Sequence, residues 1–308
     1  MSNMKLIFLG TGAGIPSKTR NVSALVLDLL QQTNSMWLFD CGEATQHQIL
    51  HTSIKPRKIN RIFITHLHGD HIFGLPGFLS SRSFQGGDQP LTIYGPPGIQ
   101  EYVQTSLSIS ETHLSYKLHI VEYEEGLIYE DAFFKVYCQQ LQHGISSYGF
   151  RIIEKDTTGP LLVQKLKEAG IPPGPIYQCL KEQEYVQLED GTTLAQKDFV
   201  GPSQKGKVIC ILGDTRYPTA HTSFVKDANT LVHEGTFGHD LLDTAHTYYH
   251  STTTEVATLA KEANVQQLLL THISSRYGKD DLPKLLQEAR NIFPETYIVH
   301  DFEEYILS

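Results

Sequence analysis

An α/β fold is the class that three features of the 308-residue sequence predict. Short apolar runs at 6–9, 36–39, 61–65, 208–212, 230–232 and 267–271 have the length and the aliphatic, β-branched content of buried strands. All but the first lead into a residue with chemical capability: Asp40, His66, Asp214, His233 with Glu234, and His272. Between the last two runs, Thr252-Thr253-Thr254-Glu255 reads as a capping box, and Val256, Leu259, Ala260 and Ala263 fall on one helical face, which makes a strand–helix–strand unit. In open α/β sheets ligands bind off the carboxyl ends of the strands, so function is expected at that edge.

The N-terminal third is rich in strand and turn signals. A helix is predicted over 281–293, with Leu282, Leu285, Leu286 and Ala289 as its apolar face and Pro294 as its stop. From about 154 to 205 strand-like runs thin out, and Gly159-Pro160, Gly170-Ile171-Pro172-Pro173-Gly174-Pro175 and Gly201-Pro202 punctuate the chain. Residues 151–207 carry eight basic and eight acidic side chains, against a net charge of −9 for the whole. The segment at about 151–205 therefore reads as an insertion into a single domain spanning 1–308.

Hydrophobic residues make up 40% and charged residues 19%, which excludes collagen-like, coiled-coil and disordered chains. No apolar run is long enough to span a membrane, and the start of the sequence runs into a strand without a cleavage site, so a cytoplasmic protein without a membrane partner is expected. Cys41, Cys138, Cys179 and Cys210 lie far apart and suit a reducing compartment as buried bystanders. The charge of −9 has the wrong sign for holding nucleic acid by bulk charge, so any such site must be a local patch. Histidine is the anomalous count: 15 residues, against roughly seven at a usual frequency of about 2%.

Three of these histidines sit in Thr65-His66-Leu67-His68-Gly69-Asp70-His71, directly after a strand run. Three imidazoles and a carboxylate on one tight turn cannot all enter a core without a cost of several kcal/mol, whereas two divalent cations use every one of them. A two-metal site needs more donors than this turn supplies. His143, Asp214 and His272 each follow a strand-like run and complete the set.

The order His-x-His-x-Asp-His, distant His, distant Asp, distant His resembles the metallo-β-lactamase superfamily over nearly the whole chain. The resemblance implies the metallo-β-lactamase fold, a four-layer αβ/βα sandwich of two mixed sheets between helices. It also implies two Zn2+ per subunit, one held by His66, His68 and His143, the other by Asp70, His71 and His272, with Asp214 bridging. Asp40-Cys41-Gly42-Glu43 is similar to the superfamily's first acidic motif, whose Asp orients the histidine loop without touching metal.

Fold and ligands do not choose a substrate, since the superfamily opens lactams, lactones, thioesters and phosphodiesters. Pro16-Ser17-Lys18-Thr19-Arg20-Asn21 resembles the P-x-K-x-R-N loop of the ribonuclease Z family, which trims tRNA 3′ ends. His233-Glu234-Gly235-Thr236 is similar to that family's H-E-A-T motif with Gly for Ala, and His250 stands where its following histidine does. The segment around Gly174 and Pro175 lies where the family carries a flexible tRNA-gripping arm. The short form of that family is therefore the reading. It implies a zinc-dependent endoribonuclease that removes the 3′ trailer from precursor tRNA, acts on no DNA and works as a homodimer. Asp70, Glu234 and His250 are its expected catalytic residues, with His250 as proton donor oriented by Glu234. Lys18, Arg20, Asn21, Arg276, Gly174 and Pro175 are expected to meet substrate. The rivals are another hydrolase on the same fold, such as a lactonase or cyclic-nucleotide phosphodiesterase, and a non-catalytic RNA-binding relative, which would be expected to have lost a ligand.

Overall fold

The structure, a computed structural model, describes residues 4–307. Its contacts divide the chain into two compact units, one ending at Ile152 and resuming at Val208, the other formed by 153–207.

The larger unit holds two seven-stranded mixed sheets. The first contains β1 (Lys5–Gly10), β2 (Ala24–Leu29), β3 (Ser35–Phe39), β4 (Ile59–Phe63), β5 (Leu91–Gly95) and β6 (Leu118–Glu122), side by side in that order. The second contains β7 (Gly126–Glu130), β8 (Phe134–Leu141), β9 (Ser147–Glu154), β10 (Val208–Leu212), β11 (Thr230–Glu234), β12 (Gln267–Thr271) and β13 (Thr296–Ile298). A last strand, β14 (Glu304–Ile306), returns to pair antiparallel with β1. Strands β10 to β13 are parallel, as the crossover helix between β11 and β12 requires.

Period-two alternation sorts the strand residues between layers. Phe8, Leu27, Trp37, Phe39 and Phe63 face inward and meet Phe134, Phe150, Ile211, Val232 and Leu269 of the other sheet in one core. The alternate residues Ile7, Val26, Leu38 and Ile62 pack outward against Phe78, Leu79, Ile99 and Val103. On the far side Cys210, Leu231, Leu268 and Leu270 are covered by Val256, Leu259, Ala260 and Leu285. These are the four layers expected.

The crossover helix is Thr253–Glu262, with Thr252 as N-cap in a complete capping box. The next helix, expected over 281–293, is Leu282–Arg290, and Phe293 still donates to Ala289 O in the turn that follows. Two helices not foreseen, Leu75–Phe84 and Ile99–Ile109, cover the first sheet. The former carries Pro76, Gly77 and three serines, a composition poor in helix propensity that tertiary packing overrides. The four cysteines are free, and Cys41, Cys138 and Cys210 are buried.

The 153–207 unit has a core of its own, built from Leu166, Ile171, Leu180, Val186 and Leu194. Helices Val163–Glu168 and Pro175–Glu182 and the paired strands Tyr185–Gln187 and Thr193–Ala195 supply it. Pro175 opens its helix, where a fixed φ and a missing N–H cost nothing, and Gly174 and Pro175 are exposed.

Candidate metal centre

Six strand ends deliver the candidate residues to one edge. Asp40 follows β3, His66 lies three residues past β4, His143 two past β8 and Asp214 two past β10. Glu234 ends β11 and His272 follows β12. His68 caps the short helix Gly69–Ile72, which carries Asp70 and His71. The loop after β3 approaches this helix closely: a Cβ on Gly74 would fall 1.9 Å from Gly42 O, which is why glycine stands there.

The donors converge on Asp214, which is 3% exposed. Its Oδ2 lies 3.4 Å from His272 Nε2, 3.5 Å from His71 Nε2, 3.6 Å from His66 Nε2 and 4.0 Å from His143 Nε2. His143 Nε2 is 3.1 Å from His68 Nδ1, and Asp70 Oδ2 is 3.3 Å from His272 Nε2. Donor atoms of His66, His68 and His143 lie within 4.8 Å of one another, as do those of Asp70, His71 and His272 and those of His66, His71 and Asp214. Tetrahedral coordination with bonds of about 2.0–2.2 Å separates neighbouring donors by roughly 3.3–3.6 Å, close to these spacings.

The backs of the imidazoles explain why their faces converge. His71 Nδ1 donates to Asp40 Oδ2 at 2.7 Å and His143 Nδ1 to Tyr249 O at 2.9 Å. His66 Nδ1 meets Thr65 Oγ1 at 2.9 Å, and that hydroxyl donates to Asp40 Oδ2 at 2.9 Å. His272 Nδ1 meets Thr236 Oγ1 at 3.0 Å, and that hydroxyl donates to Glu234 Oε2. Two carboxylate–threonine–histidine relays thus assign the Nδ1–H tautomer and leave the Nε2 lone pairs facing inward, the arrangement metal-ligating histidines adopt. His66 Nε2 is buried without a hydrogen-bond partner. Burial, reinforced by the neighbouring His71 charge, holds His66 far on the neutral side. Burial opposes ionisation of Asp214, but the histidine charges, His272 first, hold its carboxyl well below the usual range. A cluster of imidazoles around ionised carboxylates, with one buried nitrogen stranded, fits divalent cations and fits nothing apolar.

Beside this set, Glu234 is fully buried and its Oε1 accepts from His250 Nδ1 at 2.9 Å and from Thr215 N at 3.0 Å. Burial disfavours the His250 imidazolium, yet Glu234, helped by Asp214, raises its pKa to about 9. A cleft of about 350 Å3 opens over the centre, with His250, Tyr248, Phe237 and Arg276 in its wall.

The expected substrate residues divide. Lys18 is exposed, and Arg276 lies over the Phe237 ring, 4.8 Å from its centroid. Arg20 departs from the expectation: it is 7% exposed, and its Nη1 donates to Thr11 Oγ1 and to Val299 O, both at 2.6 Å. Its guanidinium builds the loop from within instead of reaching out of it. Asn21 also turns to the protein, donating from Nδ2 to Glu43 O and from its N–H to Asp301 Oδ2. The hydroxyls of Thr65 and Thr236, the carbonyl of Tyr249 and the exposed Tyr248 were missed by sequence reasoning. Only the two threonines, each beside a motif histidine or glutamate, offered a signal.

Residues 4–157 match the family described as Anti-Pycsar protein Apyc1. That match ends before Asp214, Glu234, His250 and His272. Over 304 residues the chain is 58% identical to the ribonuclease Z of Oceanobacillus iheyensis, covering 98% of this chain and 99% of that one. The crystal structure of human tRNase Z, short form, superposes with a TM-score of 0.70 at 30% identity, covering 99% of this chain and 100% of that one. The metallo-β-lactamase fold protein YhfI of Bacillus subtilis, at 20% identity and a TM-score of 0.69, covers 99% of each and shares the fold.

Proposed function

Since the chain belongs to the ribonuclease Z family, we propose that it is a metal-dependent endoribonuclease that removes the 3′ trailer from precursor tRNA, leaving a 3′-hydroxyl on the tRNA and a 5′-phosphate on the trailer. The observation that carries the chemistry is the convergence of five imidazoles and two carboxylates around Asp214 Oδ2, beneath an open cleft. His66, His68 and His143 would hold one zinc ion and Asp70, His71 and His272 the other, with the Asp214 carboxylate within reach of both donor sets. When bound, two such ions lower the pKa of a water and offset the charge that develops on the phosphate.

The protein's own groups do the rest. Asp70 Oδ2, which also accepts from Gly14 N at 2.8 Å, ties the first glycine loop to the centre and helps orient the attacking water. Glu234 holds His250 Nδ1, so Nε2 is the atom that carries the transferable proton, and the Glu234 carboxylate favours the protonated ring. His250 passes that proton to the departing 3′ oxygen. Lys18 and Arg276 meet backbone phosphates, and the unit at 151–205, with Gly174 and Pro175 on its surface, grips the tRNA body. The protein works in the cytoplasm as a homodimer.

A hydrolase of small substrates on this fold shares every ligand but needs neither the 153–207 unit nor the exposed Lys18 on the loop at 16–21. Incubating the purified protein with a 3′-extended tRNA transcript separates the two. One cut at the end of the acceptor stem supports the reading, and an intact transcript in the presence of zinc overturns it.

A further inference from the structure

Arg216 lies two residues past Asp214 and belongs to no motif. Its N–H donates to Gln142 O at 2.9 Å, and the neighbouring Thr215 Oγ1 accepts from Gln142 N at 3.1 Å, so the residue before His143 is pinned on both sides. The guanidinium carbon sits 4.1 Å from the centroid of the Tyr249 ring and 5.0 Å from that of Tyr217, and Nη1 donates to His246 O at 3.3 Å.

Both tyrosines have left-handed backbones, with φ of +60° at Tyr249 and +54° at Tyr217. Tyr249 stands just past the helix Leu242–Thr247, where the chain turns left-handed and glycine is the usual residue. An aromatic side chain there works against the backbone unless its ring is held, and both rings meet the same guanidinium. The carbonyl so placed is the one that accepts from His143 Nδ1 at 2.9 Å, and the Tyr249 ring also stands edge-on to His143, centroids 6.4 Å apart.

We propose that Arg216 is a positioning residue for the metal centre: by holding the Tyr249 ring it fixes the carbonyl that orients His143 and aims its Nε2. This rests on the metal-centre reading above. A guanidinium suits this place because it can lie over a ring while its N–H groups still donate, as Nη1 does to His246 O, a pairing a single ammonium matches less well.

The test uses the zinc-loaded, full-length protein and a chromogenic chelator, with no RNA present. Arg216→Met is expected to weaken one of two bound zinc ions about tenfold, the size of effect found for partners of metal-bound histidines, and to leave the other unchanged. Arg216→Lys should not restore it. Tyr249→Phe keeps the ring and should bind as wild type. Tyr249→Gly gives the turn its usual residue while deleting the ring; it should fold normally and weaken the same ion. Retention of wild-type zinc affinity by Tyr249→Gly or Arg216→Met overturns the proposal, as does equal weakening of both ions together with a lowered Tm. A wild-type protein that binds no zinc sinks the metal-centre reading itself.

Discussion

Asp40 Oδ2 accepts from His71 Nδ1 at 2.7 Å, while its Oδ1 accepts from Thr65 N at 2.7 Å. One carboxylate on β3's end therefore spans the histidine loop and sets the tautomer of His71 directly and of His66 through Thr65 Oγ1. Asp40 is 7% exposed and itself left-handed, with φ +54°.

Asn at this position offers one acceptor oxygen where three donors converge, and turns an amide N–H toward another donor. Asp40→Asn should lose zinc affinity by about 10- to 100-fold. The readout is zinc content after dialysis against a graded chelator. Full retention of both ions would remove Asp40 from the tautomer argument.

The 153–207 unit offers a cleaner separation of binding from chemistry. Glu154 N donates to Lys207 O at 2.8 Å, so the chain leaves and re-enters at neighbouring points. Ile171 is part of the unit's core, so excising only 170–175 would collapse the unit and blur the outcome. Replacing 156–205 with a short Gly/Ser linker should weaken precursor tRNA binding by at least tenfold, while hydrolysis of bis(p-nitrophenyl) phosphate survives within about twofold. Equal loss of both activities would make the unit structural.

Strand ends were readable because each couples an apolar run to one polar residue, and the clustered histidines were readable because imidazoles in such density have no apolar use. What stayed hidden depends on partners remote in sequence. Arg20 looks like a free cation until Val299 O and the Asp301 carboxylate, roughly 280 residues away, are folded against its loop. The left-handed backbones of Asp40, Tyr217, Tyr249 and His272 carry no glycine signature, because surrounding contacts impose them. Helix Leu75–Phe84 is likewise stabilised by the sheet it covers more than by its own composition.

A buried histidine outside the centre sets a pH dependence. His221 is 5% exposed, and neither ring nitrogen has a hydrogen-bond partner. Burial first, then the nearby His233 charge, lowers its pKa to about 4, with Glu125 opposing. Between about 6.5 and 4 the unfolded chain binds a proton that the folded one refuses. This contribution is therefore fully present above the unfolded value and falls away as pH drops through that window, by on the order of 2–3 kcal/mol. His221→Leu strands no partner, so it should flatten this part of the profile and be relatively more stable at pH 5 than at pH 8. Urea midpoints at both values decide; an unchanged slope would show that His221 is not the group involved.

The last expectation concerns which bond breaks and who supplies the proton. With His250 Nδ1 committed to Glu234, only Nε2 is available to a departing oxygen, and that oxygen is the tRNA's 3′ oxygen if water attacks phosphorus in line. A substrate with 2′-deoxyribose 5′ to the cut should then still be cleaved, since that hydroxyl is not the nucleophile. A 2′,3′-cyclic phosphate product, or complete dependence on the 2′-hydroxyl, would refute the route. His250→Ala should lower the single-turnover rate by about 10²- to 10⁴-fold with little effect on tRNA affinity, the signature of a group that acts in the transition state. Because Glu234 also anchors Thr215 N and, through Thr236, His272, Glu234→Gln should lose both rate and zinc. If the two variants instead behave alike, with zinc retained in each, Glu234 serves His250 alone, and the relay assigned to His272 does not hold its tautomer.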